Sequence, residues 1–247
     1  MSRRALGADG CPSGWVVVAL RDGTVDTVEV VTDLDEVLDE PYGAAGVDMP
    51  VGLVEGARDA DVAARLLLPG RASSVFATPP QVVIDGVRDG TLTEHAAATA
   101  AALAATGKGI SMQAWRLVPK IVRIDDLVAA GHPLLEVHPE VAFAVVTGEM
   151  LPRKRSWSGI TTRRAVLERL GVVLPDRFPG DELAAPDDVV DAAICAWVAD
   201  AAAAGEPIVT VPERTAQVAH GRPVVIVARP APPVVPGPRR PATDRRS

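Results

Sequence analysis

Apolar and polar positions follow the short period of extended chain through the first fifty residues. Ala5–Asp9 is a brief apolar run that ends on an acid, and Gly14–Arg21 (GWVVVALR) reads as a second strand. An Asp22-Gly23 turn leads into Thr24–Val31, where Val25, Val28 and Val30 are interleaved with polar residues. Strands joined this tightly run antiparallel. Asp33–Asp39 predicts a short helix, and Ala44–Asp48 predicts another strand, again ending on an acid and stopped by Pro50. The pattern calls for a mixed sheet with helices on its faces.

From about 55 to 130 the period becomes helical. Ala57–Leu68, Thr93–Thr106 (with Thr93 as cap) and Ser111–Ala130 are predicted helices, with Pro119 kinking or dividing the last. A Gly/Ser/Pro loop, 70–80, separates the first two. With no linker on either side, these helices read as an insertion between two strands. Leu134–His138 returns to strand. Thr161–Leu170 and Asp187–Ala204 are helices closed by Gly171 and Gly205. Pro207–Val211 and Val224–Val227 are the last strand candidates. The expectation is one domain over 1–228 and a disordered Pro/Arg-rich tail over 229–247.

Composition narrows the function classes. Hydrophobic residues at 48% and charged residues at 23% suit a globular chain. No apolar run approaches a membrane span, and the amino end lacks the apolar core of a signal peptide. Cys11 and Cys195 are far apart, and the four histidines form no metal-binding spacing, so neither a disulfide framework nor a zinc site is expected. A soluble, cytoplasmic protein follows. The net charge of −7 argues against coating nucleic acid non-specifically, although 153–169 is locally basic and can form a groove.

Three acids stand out. Asp9 and Asp48 each close an apolar strand, at the edge where α/β sheets bind ligands; the alternative is a plain turn-forming role. Asp191 lies one turn from Ile194 and Cys195 on the apolar stripe of the final helix, so it points at the sheet. Asp188 precedes it by three residues on the same face, with capping as its other reading. Glu136 lies inside the strand LLEVH, sharing a face with His138; a wet sheet edge explains it equally well. Carboxylates gathered this closely repel unless a cation lies between them, and oxygen-only ligands select Mg²⁺ or Mn²⁺. Such a site suits two-metal phosphoryl chemistry.

The segments GADGCPSGW (7–15), GVDMPVGL (46–53), GRASSVF (70–76), GISMQAW (109–115), PKI (119–121), EVHPE (136–140) and DDVVDA (187–192) resemble a ribonuclease-H-like nuclease family catalogued as domain of unknown function 429. The resemblance spans about residues 5–212. It implies a ribonuclease-H-like mixed five-stranded sheet, its first three strands antiparallel, flanked by helices. More distantly the chain is similar to bacterial Holliday-junction resolvases, whose metal acids would fall on Asp9, Asp48, Asp188 and Asp191, the second being Asp here where resolvases carry Glu.

The implied activity is nuclease hydrolysis of phosphodiester bonds. Asp9, Asp48, Asp188 and Asp191 would hold the metal and Glu136 would support it. Arg71, Ser73 and Ser74 form a polar loop able to hold phosphate, Lys120 and Lys154 are two of the three lysines, and Gln113 can read a polar group. For each, a surface role is the competing explanation. The partner is then nucleic acid of undetermined type, and self-association stays open. Two other readings remain. One is an inactive binding or regulatory protein. The other is an actin-like ATPase or sugar kinase, which needs two Gly/Thr-rich phosphate hairpins where only Gly10–Gly14 offers one.

Overall fold

A five-stranded sheet carries the molecule, its strands, counted along the chain, lying in the order 3-2-1-4-5. The computed structural model describes residues 2–232. The expected tail over 229–247 falls mostly on 233–247, outside the described residues. Strands β1 (Arg4–Cys11), β2 (Gly14–Arg21) and β3 (Thr24–Val31) form an antiparallel meander. The Asp22-Gly23 turn between β2 and β3 has positive φ at both residues (52° and 84°), the geometry that suits a two-residue hairpin loop. After the short helix α1 (Asp35–Leu38), β4 (Ala44–Val47) and then β5 (Leu134–Glu136) join parallel to β1. This is the mixed α/β sheet expected from the pattern.

The chain between β4 and β5 is helical, as predicted, but holds four helices: α2 (Asp59–Leu67), α3 (Gln81–Arg88), α4 (His95–Thr106) and α5 (Met112–Ala129). Helix α3 was not expected, because Pro79-Pro80 prolong the loop signal up to its first residue. Helix α4 starts two residues after the anticipated Thr93 cap. Pro119 does not divide α5; its ring lies on the exposed side, and Ser111 Oγ caps the helix by accepting from Ala114 N–H at 3.1 Å.

Beyond β5 come α6 (Pro139–Thr147), α7 (Trp157–Arg169) and α8 (Pro186–Ala204). Helix α6 was also missed: the strand ends at Glu136, and His138 is the N-cap, its Nδ1 accepting from Val141 N–H. The last strand candidates are real but build a separate two-stranded ribbon, β6 (Val209–Val211) with β9 (Ile226–Ala228). The two-residue strands β7 (Val218–Ala219) and β8 (Arg222–Pro223) form a hairpin between them.

Strand alternation sorts side chains into two cores. Leu6, Ala8, Val17, Ala45 and Val47 pack with Val83, Ile84, Ile121 and Ile124 of the insertion. Cys11, Val16 and Val18 pack on the other face against Ile194, Cys195 and Val198 of α8 and against Val166 and Leu167 of α7. Among the described helices none is long and apolar enough to cross a membrane.

Candidate metal centre

Helix α8 lies unusually close on the sheet because β1 and β4 present glycines beneath it. A Cβ at Gly7 would come 2.1 Å from Ala192 O and Ala196 N, and one at Gly46 2.5 Å from Cys195 O. On each strand the next residue of that face, two positions on, is an acid. Asp9 follows Gly7 and Asp48 follows Gly46, and the register Ala8↔Val47 makes the two acids neighbours on adjacent parallel strands. The Asp48 N–H donates to Ala8 O at 3.0 Å, which fixes that turn. Asp191, second turn of α8, comes down onto both.

One carboxylate oxygen from each of Asp9, Asp48 and Asp191 lies within 4.8 Å of the others. Asp191 is fully buried, Asp9 is 6% exposed and Asp48 is partly exposed. Asp9 Oδ1 accepts from the Gly10 N–H at 2.7 Å. Lys154, on the loop between α6 and α7, forms an ion pair with Asp191 Oδ2. Asp191 Oδ1 is buried with no hydrogen-bond partner. An orphaned, fully buried carboxylate oxygen costs free energy unless something binds it. Burial pushes Asp191 up to about 7, with Lys154 pulling against it and Asp48 adding to the push. Burial likewise raises Asp48 to about 6 against Lys154, and raises Asp9 well above the usual range with help from Asp48 and Asp191. Burial alone would lower the Lys154 ammonium, but Asp191 and Asp48 outweigh it and hold the pKa well above its ordinary value. Three hard oxygen donors with an unpartnered lone pair fit Mg²⁺ or Mn²⁺ in donor chemistry.

The other predicted residues divide. Asp188 lies outside the group of three: half-buried at the start of α8, it accepts weakly from the Ala185 N–H (3.4 Å) as a cap, yet is near enough for its charge to act on Asp9 and Asp48. Glu136 does not join the cluster. Its neighbours in sequence, Leu135 and Val137, pack on the α8 side, so alternation turns Glu136 to the opposite face. There it pairs with Arg58 (Nη1–Oε1 3.2 Å) and accepts from the Val51 N–H at 2.7 Å. Arg58, only 2% exposed, also bonds Asp61 at 2.9 Å, and this network ties the insertion to the edge strand.

Lys120 packs on the hairpin beside Asp9. Its Nζ donates to Gly14 O at 2.6 Å and lies 4.5 Å from the Trp15 ring centre, and its chain lies against Gly10. Arg71 donates to Leu151 O at 2.8 Å and approaches Glu140 at 3.6 Å, bracing the loop that carries Lys154. Ser73 is exposed, Ser74 Oγ turns back to Arg71 O (2.8 Å), and Gln113 is exposed in the first turn of α5. Glu140 and Arg163, a buried pair at 2.5 Å, were not anticipated as a unit. The His138-Pro139-Glu140 helix start was their signal, and it was hidden by the apolar run before it.

The family described as "Protein of unknown function (DUF429)" matches residues 7–216, most of the chain. The chain belongs to the DUF429 family. That span holds every member of the DUF429 chain's cluster, from Asp9 to Asp191. Neither the curated proteins nor the solved structures contain a match to it. A cavity of about 670 Å³ lined by Val51, Leu135, Arg214, His220 and Arg222 lies along the β5 edge of this DUF429 chain, and none of the three carboxylates lines it.

Proposed function

We propose that this DUF429 chain is a ribonuclease-H-like, Mg²⁺- or Mn²⁺-dependent nuclease that hydrolyses phosphodiester bonds at Asp9, Asp48 and Asp191. The observation that carries the reading is Asp191, fully buried between two other carboxylates with one oxygen unpartnered. Gly7 and Gly46 let α8 come close enough to the sheet to bring this arrangement about.

A bound divalent cation supplies an activated water and neutralises charge developing on phosphate oxygens. The chain's own residues do the rest. Asp9, Asp48 and Asp191 hold the ion, and Asp188 adds negative charge at the rim. Lys154 offers an ammonium group at the cluster for a phosphate backbone, while Lys120, held on Gly14 O, lies on the other face of β1. With a net charge of −7, attraction for nucleic acid has to be local, and Arg153-Lys154-Arg155 provides it beside the site. Both cysteines are buried and free, which suits the reducing cytoplasm.

The test is a cleavage panel of single-stranded, duplex and branched DNA and RNA with Mn²⁺. Wild type should cut at least one substrate, and Asp9→Asn and Asp191→Asn should each lose on the order of a hundredfold or more. Equal activity in all three proteins would remove the nuclease reading.

A further inference from the structure

The two oxygens of Asp191 have different fates: Oδ2 is held by the Lys154 ammonium, while Oδ1 is buried and free. In a site built for two metal ions, a shared carboxylate would place both oxygens on cations. Here the chain itself supplies one of them. The loop holding Lys154 is pinned on either side. Leu151 is buried and its carbonyl accepts from Arg71, while Arg153 O accepts from Ser156 N–H at 2.9 Å and Ser156 Oγ at 2.7 Å. The Lys154 side chain is one third exposed (33%), its head turned inward to Asp191.

Charge counting leads the same way. Within the buried group, Asp9, Asp48 and Asp191 carry three negative charges that Lys154 with one divalent ion cancels, while Asp188 at the half-buried rim adds a fourth. A second divalent ion would leave a buried excess of positive charge beside an ammonium, which is costly in a low-dielectric site.

We propose that Lys154 takes the place of a second metal ion, so that the site holds a single divalent cation on Asp9, Asp48 and the free Oδ1 of Asp191. This rests on the reading of the cluster as a metal site. It departs from two-metal chemistry by making the second positive charge a permanent part of the protein. Lys154 then acts as a positioning residue: it orients Asp191 toward the ion and keeps a fixed cation beside any bound phosphate.

The experiment counts Mn²⁺ on the full chain by equilibrium dialysis with electron paramagnetic resonance of the free ion, using Mn²⁺ alone. Wild type and Lys154→Arg should bind one ion per chain. Lys154→Met and the polar Lys154→Gln should bind two, because the vacated charge is replaced. Asp191→Asn should bind at least about tenfold more weakly than wild type. Two ions on wild type, or one on both charge-removing variants, would overturn the role of Lys154 while leaving the metal site standing. No ion on wild type would overturn both. Should one charge-removing variant fail to fold, the count on the other decides.

Discussion

Gly7 of β1 lies directly beneath Ala196 of α8, so near that a methyl group at Gly7 would come 2.1 Å from the Ala196 nitrogen. Asp191 is five residues earlier on the same helix, and Asp9 is two residues later on the same strand. The contact between glycine and helix therefore sets the distance between the two acids. Gly7→Ala has to push α8 away from the sheet. It is expected to cost about 1–3 kcal/mol or more, as overpacking does, and to weaken Mn²⁺ binding as well. Urea midpoints and Mn²⁺ titration of the same variant check both. An unchanged midpoint would show that α8 has slack the structure lacks.

Arg58 and Glu136 stabilise the fold from the far face of the sheet. Arg58→Met leaves Glu136 and Asp61 as buried carboxylates without their cation, a loss of about 3–5 kcal/mol. Glu136→Gln should also destabilise, yet its Mn²⁺ affinity should stay within about threefold of wild type, the measurement that separates it from Asp9→Asn. A collapse of metal binding in Glu136→Gln would return that residue to the site.

The raised carboxylates give stability a particular pH dependence. The folded Asp191, near 7, and Asp48, near 6, hold protons that the unfolded chain has released above about pH 4. Between about pH 4 and 7 the native state thus binds more protons, so these groups make the metal-free protein less stable as pH rises. Asp191→Asn removes one of these groups. Its melting temperature should gain on wild type from pH 4 to pH 7, and saturating Mn²⁺ should stabilise wild type most at the upper end. A constant difference across that range would contradict the assignment.

Much of this is legible in the sequence. The boundaries of β2 and β3 follow directly from a continuous apolar run, an alternating valine pattern and the Asp-Gly turn between them. Asp9, Asp48 and Asp191 were each marked by an acid where an apolar run ends or an apolar stripe passes. Periodicity says which residues share a face, however, not which face meets which helix, and that is why Glu136 was placed with the wrong group. Helices α3 and α6 went unseen for a local reason: Pro79-Pro80 and the run LLEVH each mask a helix start. The Lys154–Asp191 pair joins positions 37 residues apart on different elements, and no local pattern encodes such a meeting.

The most direct test is anomalous diffraction from crystals of the full chain grown with Mn²⁺. One manganese peak is expected, contacted by carboxylate oxygens of Asp9, Asp48 and Asp191, with the Lys154 ammonium still on the other oxygen of Asp191. A fully occupied manganese elsewhere, with no density among those three side chains, would contradict the account.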